Sequence, residues 1–512
     1  MRSWTRRGSG FLAAVGLVAS NAAADDHPFA IQSITLTGRV VSADIVDLDG
    51  DARGDLLAIR ADGLPPEERR EIHVFYQRKD GTFANAADWR GALPAGVAAY
   101  DLAEFDERPG AELLLLRRDR VSAFSFAERE MTDRDLPAGA QPTIALVYDE
   151  RGVDRLELVR AGLAGDAAAM LIPGTGWASV VDASGTSRGV LDVGARANYY
   201  IPKRPGPLVS ESEAEIYFDH PRLSVGDVDG DGRIDVVSAN RHELRVFLQN
   251  AEGRFPGNAS RRIALGKLSL EDHVRNSGAV RVDGADFDGD GRLDLLISTS
   301  VGSLFAATTT VGIHLNRGGV WDLDQSDQSF TIEGGLAGNV VIDLDGDGAV
   351  ELIEARIPTG VLEVVEVLVT RAIDAEVTVY RRGEGSLYDP EPWHDWKLGI
   401  GMSFETFRST GFVPNLEADF NGDGLHDLIG SGDGDRIELH LGDVDSGWGK
   451  RHASQSLDTS GRIRFGDLDA DGLTDFVLYD SRRPGTPVHV GTNRGVLPGT
   501  VRASSIKDAG SP

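Results

Sequence analysis

A nine-residue acidic loop recurs along the chain, and a unit repeated at near-regular spacing restricts the fold to architectures made of one module copied side by side. The first copy is Asp47-Leu48-Asp49-Gly50-Asp51-Ala52-Arg53-Gly54-Asp55, with acids at positions 1, 3, 5 and 9. The pattern returns as Asp227, Asp229, Asp231, Asp235; as Asp286, Asp288, Asp290, Asp294; as Asp343, Asp345, Asp347, Glu351; as Asp419, Asn421, Asp423, Asp427; and as Asp467, Asp469, Asp471, Asp475. Two weaker copies fill the gaps. Glu104, Asp106 and Glu112 keep positions 1, 3 and 9 but put Arg108 at position 5, and Asp149 to Glu157 keeps only the ends. Counted from position 1, successive copies lie 57, 45, 78, 59, 57, 76 and 48 residues apart.

Apolar runs flank each loop. One leads in, as at Leu223 to Val225, and one follows position 9, as at Leu295-Leu296-Ile297. A third alternates later, as at Ile72 to Tyr76 and Ile437 to Leu441, and often ends in a Gly-containing turn. Short apolar runs between turn signals read as strands. Three strands with room for a fourth in about sixty residues is the unit of a β-propeller blade. The spacing predicts an all-β, eight-bladed propeller over residues 25–500, with seven blades as the alternative because the Asp149 unit is so degenerate. Phe29 to Leu36 is an orphan apolar strand ahead of the first loop, while the last unit lacks an outer strand. The simplest ring seats Phe29 to Leu36 in the last blade and leaves no open sheet edge.

Acids at positions 1, 3, 5 and 9 of a tight loop can converge, and the position-7 backbone carbonyl adds an oxygen, from Arg53, Arg233, Arg292, Ala349, Leu425 and Leu473. Calcium takes six to eight oxygens and tolerates irregular geometry, whereas magnesium favours a stricter octahedron with several waters. Without a cation, such carboxylates repel and raise one another's pKa. The expectation is about six calcium ions, one per full loop, with the Arg108 and Asp149 copies empty. An EF-hand needs a bidentate acid at position 12; here that position is Ala58, Ser238, Ile297, Glu354, Gly430 and Leu478. Asp-x-Asp-Gly-Asp-Gly-x-x-Asp followed by two apolar residues resembles the FG-GAP/VCBS repeats of integrin α-subunit-like propellers. The resemblance spans nearly the whole chain after residue 24 and is specific in six of eight units. The Phe-Gly and Gly-Ala-Pro signatures are largely missing, with Phe465-Gly466 a partial echo. It implies a seven- or eight-bladed ring with calcium in its loops, and a role in adhesion or ligand binding rather than in catalysis.

Arg2, Arg6 and Arg7 precede the apolar Phe11 to Ala19 and the small residues Ala22 to Ala24, the order of a secretory signal peptide over residues 1–24. The chain is therefore expected to be secreted or periplasmic, with a flexible tail at 501–512 and no membrane span. A net charge of −29 repels nucleic acid, and the absence of cysteine excludes disulfides and thiol catalysis. No P-loop, zinc-protease helix or nucleophile elbow is present. His73, His314, His440 and His489 recur in the third strand of their units, with Arg245 at the matching place, which marks a structural blade position. The two longest gaps hold Tyr199, Tyr200, Tyr217 and Phe218, and Tyr380, Tyr388, Trp393, His394, Asp395 and Trp396. Trp393 to Trp396 is the candidate ligand patch, since extra loop length on a rigid scaffold is where binding usually lives. The reading is a monomeric calcium-binding adhesion or scaffold module for a protein or carbohydrate ligand. The alternative is a polysaccharide lyase-like enzyme on the same ring, which would need a base beside a cation.

Overall fold

Each full acidic loop joins the first two strands of a blade whose successive strands pair antiparallel, and eight such blades follow one another along the chain, six as sheets of four strands and two with a short fifth strand added. The structure, a computed structural model, describes residues 27–64, 67–97, 99–138, 143, 153–200, 215–275, 277–303, 306–333, 336–358, 372–383, 387–403, 408–432 and 434–502. The expected signal peptide lies outside the described residues, as does the tail beyond Arg502.

Blade 1 comprises Arg39–Val46, Asp55–Asp62, Arg69–Phe75 and Trp89–Ala92. Blades 2 to 7 begin at Ala99, Val159, Arg222, Ala279, Leu336 and Asn415. Blade 8 takes Arg462–Gly466, Asp475–Tyr479 and Val488–Asn493 from the C-terminal end and Phe29–Ile34 as its outer strand. The closure expected from the orphan strand is the one observed, with Phe29 opposite Asn493 and Ile34 opposite Val488. Phe29 is buried edge-on between Phe420 and Phe476, at 5.6 and 4.9 Å, and its backbone N–H and C=O both bond the Gln455 amide.

Eight apolar clusters hold the ring, each between two adjacent blades. Second strands have both faces buried, so they read as unbroken apolar runs. In Glu112–Leu116, Leu113 and Leu115 face blade 1 while Leu114 and Leu116 face blade 3. Backbone bonds tie loop to loop across these seams. The position-8 N–H donates to a position-1 or position-2 carbonyl of the preceding blade: Gly54 to Leu468, Ala111 to Asp47, Leu293 to Asp227, His426 to Leu344 and Thr474 to Asp419.

Blade 3 corrects the expected register. Its first two strands, Val159–Ala164 and Ala167–Pro173, meet in a tight turn with Gly165 at φ 73°, so Asp149 to Glu157 lies ahead of the first strand and not between two. Asp149 itself lies outside the described residues, and Asp154–Arg155 pairs with the inner strand of blade 2. The 123-residue stretch from Glu104 to Asp227 is therefore two ordinary intervals of about 61 residues, divided by the turn at 164–167. It holds a separate hairpin, Arg196–Tyr200 with Glu215–Asp219, which contains Tyr199, Tyr200, Tyr217 and Phe218. Extra length is real in blade 6, whose middle and outer strands, Ala372–Tyr380 and His394–Ser403, are long beside the four-residue Asn415–Ala418 of blade 7. Among the described residues no helix is long and apolar enough to cross a membrane.

Candidate metal centres

The six full loops share one backbone conformation. Positions 4 and 6 are left-handed in every one, as in Gly289 (φ 76°) and Gly291 (φ 84°). Where alanine replaces glycine, at Ala52 and Ala470, it still adopts φ 65° and 57°, a conformation L-residues reach only at a cost. This curl lets position 1 accept backbone N–H groups on both carboxylate oxygens. In blade 5, Gly289 and Asp290 donate to one oxygen of Asp286 at 2.7 and 3.1 Å, and Gly291 to the other at 2.8 Å. Position 5 accepts the position-7 N–H, as Asp290 does from Arg292 at 2.9 Å and Asp347 from Ala349 at 2.8 Å.

Position 9 is buried and ties the blade together. One oxygen takes the position-2 N–H: Leu48 to Asp55, Val228 to Asp235, Phe287 to Asp294, Leu344 to Glu351, Phe420 to Asp427, Leu468 to Asp475, all at 2.6–3.1 Å. In five blades the other oxygen takes an N–H from the end of the third strand or just past it: Gln77, Gln249, Asn316, Gly442 and Asn493. Four of those residues are amides that also bond carbonyls at the seam, such as Gln77 to Leu468 and Asn316 to Val228. These buried amides are part of the loop support, and the sequence carries their signal as an amide at the end of the third strand. Burial is the largest cause raising the position-9 acids. Backbone donors offset it and the neighbouring carboxylates add to it, leaving Asp55, Glu351, Asp427 and Asp475 at about 7 and Asp235 and Asp294 at about 6.

Carboxylate oxygens converge in five loops. Asp227, Asp229 and Asp231; Asp286, Asp288 and Asp290; and Asp343, Asp345 and Asp347 bring positions 1, 3 and 5 within 4.8 Å of one another. Asp47, Asp49 and Asp55, and Asp467, Asp469 and Asp475, bring positions 1, 3 and 9 within the same distance. The sixth loop substitutes Asn421, whose side-chain N–H donates to Asp423 at 2.8 Å. A set of hard oxygens this dense suits a divalent cation bound by oxygen. Arginines partly neutralise some loops: Arg233 pairs with Asp231 and Arg381 with Asp345.

The blade 2 copy is neutralised differently. Arg108 contacts Asp106 at 2.7 Å and Glu112 at 4.0 Å, and Arg134 reaches Asp106 at 2.9 Å. Burial alone would raise Asp106, but the hydrogen bonds from Arg108 hold it well below the usual carboxylate range.

Trp393, His394, Asp395 and Trp396 lie on the outer edge of blade 6. Their rings pack around the buried Trp448 of blade 7: Trp393 at 5.9 Å, His394 at 5.8 Å and Trp396 at 5.2 Å. Trp393 donates its indole N–H to Val444 and lies under Arg381, while Asp395 points to solvent. Of this candidate patch, only Asp395 is exposed; the three rings are half-buried. His314 and His440 donate to the carbonyls of Asp322 and Trp448, at 2.6 and 2.9 Å, and His489 bonds Ser33 at 2.8 Å. Burial lowers the pKa of His73, His314, His440 and His489, so they are neutral struts within separate blades. A Tyr100–Asp44–Arg464 constellation exists at the inner wall, but Tyr100 and Asp44 are fully buried and closed to a polymer.

Residues 227–297, which hold the loops of blades 4 and 5, match the model of the FG-GAP-like repeat family. No match is found among curated proteins. Among solved structures, the chain is similar to an Agrocybe aegerita lectin described as recognising non-reducing terminal N-acetylglucosamine, at 16% identity and TM-score 0.35, covering 90% of this chain and 86% of the lectin. It is also similar to the WD40 domain of Toxoplasma gondii coronin, at 8% identity and TM-score 0.35, covering 93% and 90%. The V. cholerae biofilm matrix protein Bap1 matches at 12% identity and TM-score 0.28, covering 90% and 81%. At TM-scores below 0.5 these likenesses carry no functional weight.

Proposed function

We propose that this chain, an eight-bladed propeller of FG-GAP-like repeats, is a secreted calcium-held module that binds an extracellular protein or carbohydrate. The observation that carries the reading is the convergence of acids in loops of one shared conformation, on connections that all leave the sheets in the same direction. Asp227, Asp286, Asp343 and their position-3 and position-5 partners would hold the ion through carboxylate oxygens. When bound, calcium supplies positive charge that offsets their mutual repulsion. The chain's own part is to hold those oxygens in place. Glycines at positions 4 and 6 curl the loop, and the buried position-9 acid and the seam amides anchor it to two blades.

Metal analysis of protein dialysed against excess calcium tests the reading, with about six ions per chain expected. One ion or none overturns it. Binding to arrayed glycans and matrix proteins, compared in calcium and in chelator, then identifies the ligand class.

A further inference from the structure

We infer that Arg129 is a tethered counter-cation of the first loop, so that the Asp47–Asp55 site takes calcium only by expelling a guanidinium and is the weakest of the six. The inference rests on the reading that these loops hold calcium.

Three observations converge on this loop. Arg129 comes from the neighbouring blade, yet its Nε lies 2.6 Å from Asp49 and its Nη2 3.6 Å from Asp51. It thus spans positions 3 and 5, the space a cation would share. The guanidinium also sits 4.8 Å over the Tyr76 ring, a cation–π contact that steadies it.

Second, the backbone is bent to deliver it. Glu128 and Arg129 have φ 54° and 65°, two of the four left-handed non-glycine residues among those described. The Glu128 N–H donates to the Asp49 carbonyl at 3.0 Å, pinning the strained turn to the loop. Strain of this kind persists only where surrounding contacts impose it.

Third, Asp51 has left the acid cluster. In blades 4, 5 and 6 position 5 belongs to it, but in blade 1 the converging acids are Asp47, Asp49 and Asp55. Asp51 pairs instead with Arg53 and Arg129. The last loop has lost position 5 too, where Arg502 approaches Asp471 at 3.5 Å, farther than the 2.6 Å between Arg129 and Asp49. Arg381 in blade 6 holds Asp345 alone and leaves its cluster intact.

Arg129 is half exposed, so a divalent ion can displace it into water. Displacement frees the turn between Arg120–Ser125 and Thr132–Pro137 to leave its left-handed conformation. Occupancy of blade 1 is thereby coupled to the surface of blade 2, and the apparent affinity falls by the fraction of time the guanidinium is out.

Calcium titration by native mass spectrometry at pH 7 tests this on the full chain, using wild type, Arg129→Gln and Asp288→Asn. Wild type should show five tight ions and a sixth roughly tenfold weaker or more. Arg129→Gln should bring the sixth into the tight class, and Asp288→Asn should remove one tight ion. Six equivalent ions in wild type, or a weak site unmoved by Arg129→Gln, overturns the inference. Binding of no ion by any variant overturns the calcium reading itself, a separate outcome. Hydrogen exchange on wild type gives a second readout: the amides of Glu128 to Glu130 should lose protection only as the sixth ion binds, and protection unchanged across the titration also overturns the inference.

Discussion

Blade 2 and blade 5 build the same loop frame and fill it differently. In both, the position-9 acid accepts the position-2 N–H, at 2.8 Å for Glu112 and 2.9 Å for Asp294. In both, the position-8 N–H reaches back to the preceding blade, at 2.8 Å for Ala111 and 2.7 Å for Leu293. Blade 2 puts Arg108 among its acids, whereas blade 5 puts Asp290 there and leaves three carboxylates facing one another within 4.8 Å. On the proposed reading, the sign of position 5 decides whether the motif carries a cation of its own or leaves its carboxylates for a cation from elsewhere, a bound ion or, in blade 1, Arg129. Glu112 is pushed up to about 7 although Arg108 is beside it, because burial is the main cause. A raised position-9 pKa therefore reports burial and is no sign of a metal loop by itself.

The largest effect that separates the two kinds of loop is chelation. Each ion held only by the native state adds about 2.7 kcal/mol at a hundredfold excess over its Kd, so removing several costs on the order of 10 kcal/mol. Thermal melting in calcium and in chelator should differ by many degrees, and added salt should narrow the gap by screening the empty loops. Equal melting temperatures would mean that blade 5 needs a cation no more than blade 2 does.

The second effect is the pH dependence of that gap. The position-9 acids have native pKa values of about 6 to 7, above their ordinary values of 3.8 and 4.5. Without metal the native state therefore holds more protons than the unfolded chain. The stability these groups contribute is fully present below about pH 4 and is lost as pH rises through 6 to 7. Calcium favours the ionised acids and reverses the trend. The buried histidines, with lowered pKa values, destabilise the fold as pH falls below about 6.5, but they do so with or without calcium. The calcium-minus-chelator difference in melting temperature should shrink from pH 7 to pH 5. A difference that grows on acidification breaks the argument.

A smaller effect comes from single acids. Asp288→Ala should cost about 2–3 kcal/mol in calcium and change little in chelator, since it deletes one site. Asp106→Ala in blade 2 leaves Arg108 and Arg134 without their partner. It should cost about 1–3 kcal/mol, with the upper end limited by the partial exposure of both arginines, and the cost should be the same in both conditions. Denaturant melts of the two variants with and without calcium measure this, and a calcium-dependent penalty for Asp106→Ala would erase the distinction.

The ring, its blade number and its closure were legible because every blade must bury the same faces, which stamps a period on the sequence. The register of blade 3 was not legible because a tight turn around Gly165 needs a left-handed glycine and only one neighbouring acid, Asp166, so it leaves no repeated acidic pattern. The chemistry inside the loops was legible in kind, since Arg108 sits within its own motif. Arg129 and Arg134 were not, because they reach Asp49 and Asp106 from a turn and a strand of blade 2 that only the folded sheet brings close. The tryptophans of blade 6 suggested a ligand surface by their place in a long gap. They pack on Trp448, a partner about fifty residues away whose position depends on how two blades meet.

The smallest expected effect separates position 5 from position 7. Arg108 and Arg292 are both arginines inside the motif, two positions apart in register. At position 7 of blades 5 and 6 the loop bond is the backbone's: the Arg292 N–H donates to Asp290, and Ala349 makes the same bond without any long side chain, whereas Arg53 and Arg233 at this position also pair with Asp51 and Asp231 through their side chains. Arg292→Ala should therefore keep the calcium count and shift stability by no more than about 0.5 kcal/mol. Arg108→Ala removes a guanidinium that touches Asp106 and the buried Glu112, and should cost about 1–3 kcal/mol at neutral pH. Melting of the two variants side by side at pH 7 reads the difference. A penalty for Arg292→Ala as large as that for Arg108→Ala would show that position 7 neutralises the loop through its side chain, and that charge balance in blade 5 is shared with the protein rather than left to a bound ion.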